Sequence, residues 1–369
     1  MASLAGIADL PLHSGKAPGW LFPRMKRLGG SLAGLLISEF GQKEALMRLS
    51  DPFWFQALAC LLGFDWHSSG TTTVTLAALK EGMAENHLPV HIFGGKGKAA
   101  TGIQEELTGH ADPYVRDNSE WLARISRTAA RVDTLALQDG FDLYHHSLLF
   151  DERGNWAVIQ QGLNGVTRYA RRYHWNSATA ADMLQEPHDA ILGREAGPTL
   201  DLTSGVSAET RKSMIEMLNS RKAEWIERVI LSKGRSQAVI DDFTASGVKM
   251  IRLEWGSDWN RLRKNFNMLL SECPQSFGEL VMMPGIGRKT VMAMAMAAAL
   301  VYGTEPSWKD PVKYSFAVGG KDGIPYPVDT GRMEVMSEII ETAVRESEAG
   351  NDFRRNVLRR LSDFLSPLI

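Results

Sequence analysis

The sequence predicts an α+β protein, with a mixed α/β N-terminal domain that carries a small antiparallel sheet and a mainly α-helical C-terminal domain. Apolar residues recur at helical spacing in both halves of the chain, and strand-like runs separated by a turn follow Asp139. A loop that contains glycine and proline, REAGPTLDLTSG, ends the first half. Because such loops are typical of boundaries, we expect domains at residues 1–200 and 201–369.

The first half opens with helical patterns and then changes to strands. MKRLGGSLAGLLISEFG, the aromatic stretch after it and TTTVTLAALKEGM all have helical composition. LPVHIFGG is a short predicted strand, and residues 119–137 form a predicted helix. LYHHSLLF, the turn DERGN and WAVIQQGL predict a β-hairpin, and YARRYHW is expected to continue that sheet or to lie next to it.

The second half is predicted to be mainly helical. A capped helix begins near Ser207, and further helices are expected at 258–271, 276–283, 288–302 and 330–347. The run MMPGIGRKT separates two of them. Gly285 and Gly287 can take positive φ without steric cost, and free amides at the start of the following helix can face an anion. This run therefore predicts a tight turn that binds a phosphate.

The segment PGIGRKT resembles the helix-hairpin-helix of DNA repair and processing proteins, and is most similar to that of endonuclease III-like base-excision glycosylases. The resemblance covers residues 277–302 and implies that Lys289 is a Schiff-base nucleophile and Asp329, in a VDT segment, a catalytic carboxylate. Two features depart from the glycosylase pattern. Lys289 and Asp329 are 40 residues apart, and the chain has only 2 cysteines, so an iron-sulfur cluster is not expected.

Basic residues, two glycines and one threonine are the expected nucleic-acid contacts. They are Gly285, Gly287, Arg288, Lys289, Thr290, Arg168, Arg171, Arg172, Lys96 and Lys321. The three arginines from 168 to 172 alternate with aromatic residues, which can stack bases, although a half-buried strand with a solvated basic edge would have the same pattern. Lys96 and Lys321 each follow two glycines, but Walker spacing is absent, so no nucleotide cofactor is indicated.

Imidazole and carboxylate groups cluster around the predicted β-hairpin, as a metal-dependent nuclease would require. The predicted ligands of a divalent ion, Mg²⁺ or Mn²⁺, are His145, His146, Asp151 and His174. Neighbouring residues of a strand face opposite sides, so only one of the two adjacent histidines could join a given site. The alternative for Asp151 is a solvated carboxylate in the hairpin turn.

Composition limits the classes of partner. With 41 Lys and Arg against 43 Asp and Glu, the formal net charge is −2, so any contact with DNA must come from local patches. The 2 cysteines show neither disulfide nor zinc spacing, and no long apolar segment occurs. We therefore expect a soluble, cytoplasmic protein without a membrane partner; protein partners are not indicated.

Long phrases of the chain, among them HHSLLFDERGNWAVIQQG and ARRYHW, resemble a family of bacterial and archaeal proteins known only as a domain of unknown function. That family implies no chemistry. From the hairpin we expect a DNA-binding protein of DNA repair or processing, such as a nuclease or lyase acting on damaged or structured DNA. The alternatives are a noncatalytic structure-specific nucleic-acid-binding protein and a glycosylase/AP lyase that uses Lys289 and Asp329. RNA fits as well, since backbone binding does not distinguish the sugar.

Overall fold

Three helices follow one another in the first half of the described residues. The computed structural model describes residues 10–11, 19–63, 69–220 and 259–312. Helix α1 spans Phe22–Ser50, with a kink at Gly41, where φ is 80°. Helix α2, Pro52–Leu61, begins with a proline and is capped by Asp51, whose side chain accepts hydrogen bonds from two backbone amides of its first turn. Helix α3 spans Ser69–Glu85.

A six-stranded antiparallel sheet forms the centre of the molecule. Its strands lie in the order β1, β6, β5, β4, β2, and β7 also pairs with β6. The strands are β1 Leu10–Pro11, β2 Val90–Lys96, β4 Asp142–Asp151, β5 Trp156–Leu163, β6 Tyr169–Asn176 and β7 Ala190–Leu192. Two further strands, β3 Leu137–Gln138 and β8 Leu200–Asp201, pair separately. The predicted β-hairpin and the strand formed by YARRYHW are thus confirmed as parts of one sheet.

The remaining elements are mostly helical. They are α4 Lys98–Thr101, α5 Ile103–Thr108, α6 Pro113–Asp117, α7 Ser119–Arg131, α8 Ala208–Leu218, α9 Trp259–Glu272, α10 Phe277–Met282 and α11 Arg288–Tyr302. The helix predicted at 119–137 is shorter than expected, because a π-helical turn, Val132–Ala136, follows α7 and leads into β3. A short 3₁₀ turn, Gly205–Ser207, precedes α8.

Successive side chains of the strands point to opposite faces of the sheet, and an apolar core lies on each face. Leu149, Ala157 and Ile159 face the core that contains residues of α1, α2 and α3. Leu148 and Val158 face the other core, which contains residues of α7, α8 and α9 to α11. The sheet therefore lies between two helical layers, and the α+β class is confirmed at this level. Residues on both sides of position 200 share the second core, and the domain boundary predicted there stays a prediction.

No helix within the described ranges is long and apolar enough to cross a membrane. Several expectations from the sequence fall outside those ranges. They concern the helix at 330–347, Asp329, Lys321 and the C-terminal part of the helix that begins near Ser207.

Candidate nucleic-acid-binding hairpin

Helices α10 and α11 are joined by a tight turn at the surface. Gly285 in this turn has φ of 81°, a conformation that glycine adopts without steric cost, and no atom lies within 4 Å of where a Cβ would stand on it or on Gly287. Gly287 is the N-cap of α11 and accepts hydrogen bonds from the amides of Thr290 and Val291. The backbone at the start of a 15-residue helix therefore faces open space.

Side chains from two other helices hold the turn in place. Arg131 of α7 donates to the carbonyl oxygens of Val281 at 2.6 Å and Met283 at 2.7 Å, at the carboxyl end of α10. The Asn265 side chain of α9 donates to the carbonyl oxygen of Gly285 at 3.1 Å. Because hydrogen bonds fix both sides of the turn, its conformation is set without a ligand.

Two of the predicted hairpin contacts have other partners. The Arg288 guanidinium donates to the carbonyl oxygens of Thr134 and Phe141 and pairs with Asp142, which attaches α11 to the start of β4. Thr290 is buried, and its hydroxyl accepts a hydrogen bond from Asn265 at 3.0 Å. The structure corrects the expectation for these two side chains: they support the hairpin from within. Lys289 is exposed on the first turn of α11.

The basic residues of β6 are not on an accessible face. Arg171 is fully buried and pairs with Asp139 at 3.0 Å and with Asp310 at 2.7 Å. Burial disfavours its charge, but the two carboxylates outweigh this effect and raise its pKa. The expectation that Arg171 lies where it could hold a phosphate is wrong, because both faces of β6 are covered by helices or loops.

Arg172 points to the opposite face of β6 and is also buried. Its guanidinium donates to the side-chain oxygens of Thr72 at 3.3 Å and Gln56 at 3.1 Å and lies over the ring of Phe55. Burial lowers the pKa of Arg172 to about 9. The predicted contact of Arg172 with nucleic acid is therefore corrected in the same way as that of Arg171.

The other three basic residues predicted to contact nucleic acid are Arg168, Lys96 and Lys321. Arg168 is exposed in the turn between β5 and β6. Lys96 ends β2, is exposed, and its ammonium lies 5.8 Å from the centre of the Tyr144 ring. Lys321 lies outside the described residues. The exposure of Arg168 and Lys96 is compatible with the predicted contact with nucleic acid, which stays a prediction.

The four predicted metal ligands do not meet. His145 and His146 face opposite sides of β4, as expected, and bond Ser147 and Ser126 respectively. His174 bonds the carbonyl oxygen of Ser50 at 2.6 Å. Asp151 accepts hydrogen bonds from the amides of two residues in the hairpin turn. The structure corrects this ligand set, because each side chain is fixed by a different protein partner.

Burial keeps these histidines neutral. The pKa of His145 is lowered to about 3, chiefly by burial and further by the neighbouring His146 and two lysines. Burial likewise lowers the pKa of His146 and, to a greater degree, that of His174. At neutral pH all three imidazoles therefore serve as uncharged hydrogen-bonding groups.

A buried network centred on Asp133 was missed from the sequence. The Asp133 carboxylate accepts hydrogen bonds from Gln160 at 2.6 Å and Trp175 at 3.0 Å, and it pairs with His188 at 2.5 Å. Gln160 in turn bonds His146 at 2.7 Å. Asp133 lies on the π-helical turn within what the sequence pattern predicted as a continuous helix. Its partners are 27, 42 and 55 residues away in the chain and meet it only in the folded protein, so no local signal could have identified it.

Only one member of the catalytic pair suggested by the glycosylase resemblance lies within the described residues. Lys289 lies on the first turn of α11, whereas Asp329 is outside the described residues. The pair therefore stays a prediction.

Comparison with known proteins places the chain in a family without an assigned activity. The chain belongs to the family described as "Protein of unknown function (DUF763)", whose model matches residues 6–328. This confirms the resemblance to a domain of unknown function. No curated protein and no solved structure matches the chain.

Proposed function

We propose that this protein binds the sugar-phosphate backbone of DNA in repair or processing, and that the turn between α10 and α11 is a helix-hairpin-helix contact. The observation that carries the proposal is the exposed Gly285, held at positive φ in the turn that leads into α11. A phosphate oxygen can approach a glycine backbone more closely than any other, and the first amides of a helix have no intrahelical partner. Such a contact binds the DNA backbone whatever the base sequence is.

Electrostatics support an anion at this position. The N-terminal end of an α-helix has a partial positive charge from its aligned peptide dipoles, and α11 is long enough for that charge to be nearly complete. Lys289 adds an exposed ammonium on the same turn. Since the net charge of the chain is −2, a local site of this kind is what DNA binding requires.

Rigidity of the turn also favours binding. Arg131, Asn265 and Arg288 connect the hairpin to α7, α9 and β4, so little conformational freedom remains to be lost when a ligand arrives. In this proposal, backbone amides and Lys289 contact the phosphate, whereas the Arg288 and Thr290 side chains keep the amides in position. Cleavage of the bound DNA, as a nuclease or lyase, would need groups besides the hairpin.

A pair of valine substitutions on the same helix tests the proposal. Gly285→Val fills the open space before α11, and we expect the affinity for a short labelled DNA duplex to fall about tenfold, since charge-assisted hydrogen bonds are lost. The matched control is Gly303→Val. Gly303 has φ of 69°, has the same open surroundings and ends α11, where the dipole repels phosphate.

Both substitutions strain a left-handed residue and should lower stability to a similar degree, about 1–2 kcal/mol. Fluorescence anisotropy with the duplex, at fixed salt, separates the two effects. Loss of affinity in Gly285→Val alone supports the hairpin contact. Equal affinities in the parent and in both variants would contradict the proposal.

A further inference from the structure

Three potential metal ligands from three separate elements meet beside a cavity of about 610 Å³. They are His91 on β2, Asp112 before α6, and Glu152 in the turn between β4 and β5. One ligand atom from each residue lies within 4.8 Å of the other two. Among the described residues, no other group of three or more His, Cys, Asp or Glu side chains is arranged in this way.

The sheet register brings two of these residues together. His91 is paired with Phe150, and Val90 is paired with Asp151, so Glu152 follows directly at the edge where β2 begins. The Asp151 carboxylate accepts hydrogen bonds within the β4–β5 turn and thereby fixes the backbone that carries Glu152. Asp151 was predicted as a ligand; here it positions its neighbour.

The two carboxylate oxygens of Asp112 make different contacts. Its Oδ1 accepts a hydrogen bond from the amide of Tyr114 at 2.9 Å and caps α6, while its Oδ2 lies 3.7 Å from Nε2 of His91. Its amide donates to Nδ1 of His110 at 3.2 Å, and the His110 ring packs edge-on against His91. Backbone and ring contacts therefore orient one free carboxylate oxygen towards the imidazole.

His91 carries the strongest sign of a missing ligand. Its Nε2 is buried and has no hydrogen-bond partner, and the 3.7 Å to Asp112 is too long for a hydrogen bond. A buried polar atom without a partner is uncommon and costs stability. A cation between this nitrogen and the two carboxylates would satisfy all three groups at once.

The geometry points to a binding site for a divalent transition-metal ion, Zn²⁺ or Mn²⁺, formed by Nε2 of His91, Oδ2 of Asp112 and the Glu152 carboxylate. Imidazole and carboxylate together suit these ions, whereas Mg²⁺ prefers oxygen ligands alone. Tetrahedral ligands with bonds of about 2.1 Å stand about 3.4 Å apart, so the side chains must close in by about 1 Å. Glu152 is exposed and can rotate to do so. Three protein ligands leave the fourth position open towards the cavity.

This site is separate from the hairpin. Arg288 bonds Asp142 at the start of β4, whereas Glu152 follows the end of the same strand. At about 3.3 Å per residue, the length of β4 separates the two by about 30 Å. The metal site therefore does not depend on the proposed DNA contact, and each can fail without the other.

Direct metal titration of the full chain tests the inference. Protein stripped with a chelator and then dialysed is titrated calorimetrically with ZnCl₂ and, separately, with MnCl₂. We expect one ion per chain for at least one metal. The double variant Asp112→Asn, Glu152→Gln should bind about 100-fold more weakly. Asparagine caps a helix as well as aspartate does, so α6 keeps its start in this variant.

The matched control is Asp182→Asn, Glu209→Gln, which removes the same charges elsewhere. Asp182 accepts a hydrogen bond from the amide of Leu184 as Asp112 does from Tyr114, and Glu209 is exposed as Glu152 is. This control should bind metal as the parent does. His91→Gln, which removes the nitrogen ligand, should weaken binding as the double variant does. Absence of binding at a stoichiometry of one in the parent, or equal affinity in the parent and all variants, would overturn the inference.

Discussion

The hairpin between α10 and α11 and the polar side chains of the central sheet differ in what they offer to a partner. The sheet contains the residues with the richer chemistry, among them His146, Arg171 and Arg172, yet these side chains are buried. The hairpin has few reactive groups, but it exposes glycine backbone and Lys289. Residue type alone would favour the sheet as the place where a partner binds, whereas accessibility favours the hairpin.

Within the sheet, the two arginines of β6 differ as well. Arg171 has two carboxylate partners, whereas the Arg172 guanidinium donates hydrogen bonds to the neutral side chains of Thr72 and Gln56. Their pKa values shift in opposite directions for this reason. The buried guanidinium of Arg171 is compensated by two carboxylates. That of Arg172 is stabilised by hydrogen bonds and by the Phe55 ring.

The largest effect is expected for Arg171→Met, measured by urea unfolding. It leaves Asp139 and Asp310 buried without their cation, so the free energy of unfolding should fall by about 3–5 kcal/mol. Arg172→Met removes a buried charge that has no carboxylate among its described partners, so the free energy of unfolding should fall much less than in Arg171→Met. Equal losses in the two variants would show that the carboxylates do not distinguish the two sites.

A smaller, pH-dependent effect is expected from His145. Its pKa is about 3 in the folded state and about 6.5 when unfolded, so below pH 6.5 the unfolded chain takes up a proton that the folded chain does not. The stability that this neutral histidine contributes is thus present above pH 6.5 and lost as pH falls towards 3, by up to about 4 kcal/mol.

His145→Gln isolates this contribution. His146 and His174, whose pKa values are also lowered, remain in both proteins, so the difference between the two unfolding curves reports His145. Urea unfolding at a series of pH values should give a shallower acid decline in the variant. Parallel curves would mean that His145 is accessible to protons in the fold.

The smallest effect is expected for Lys289→Ala. Lys289 is exposed, so its loss should leave stability almost unchanged. DNA affinity should fall a few-fold at low salt, and the slope of log affinity against log salt should decrease by about 1, because one phosphate contact is lost. The exposed Arg124→Ala on α7 serves as the control. An unchanged salt slope would remove Lys289 from the contact.

Much of the fold was predictable, because its signals are local. The turn DERGN between two apolar runs predicted the β4–β5 hairpin, and the helical composition on both sides of PGIGRKT predicted α10 and α11. Burial of the β6 arginines was not predictable. The carboxylates that compensate Arg171 are 32 and 139 residues away in the chain, and sequence spacing does not report such pairs.

The two candidate sites also differ in how far the sequence could predict them. The hairpin could be recognised because its glycines and its helix start are consecutive in sequence. His91, Asp112 and Glu152 could not be grouped, because β2, the start of α6 and the β4–β5 turn are separated in the chain and meet only in the folded protein. Asp151 was predicted as a ligand, but its carboxylate accepts amide hydrogen bonds within the turn, and a turn pattern does not show which carboxylate the backbone amides will engage.

Hydrogen exchange with and without DNA tests the central claim most directly. In mass-spectrometric exchange on the full chain, a saturating DNA duplex should slow exchange in peptides that cover residues 283–290, where exposed backbone amides are proposed to contact phosphate. Peptides from β5 and β6, which lie inside the fold, should be unchanged. Binding of the duplex with protection elsewhere and none at 283–290 would contradict the account.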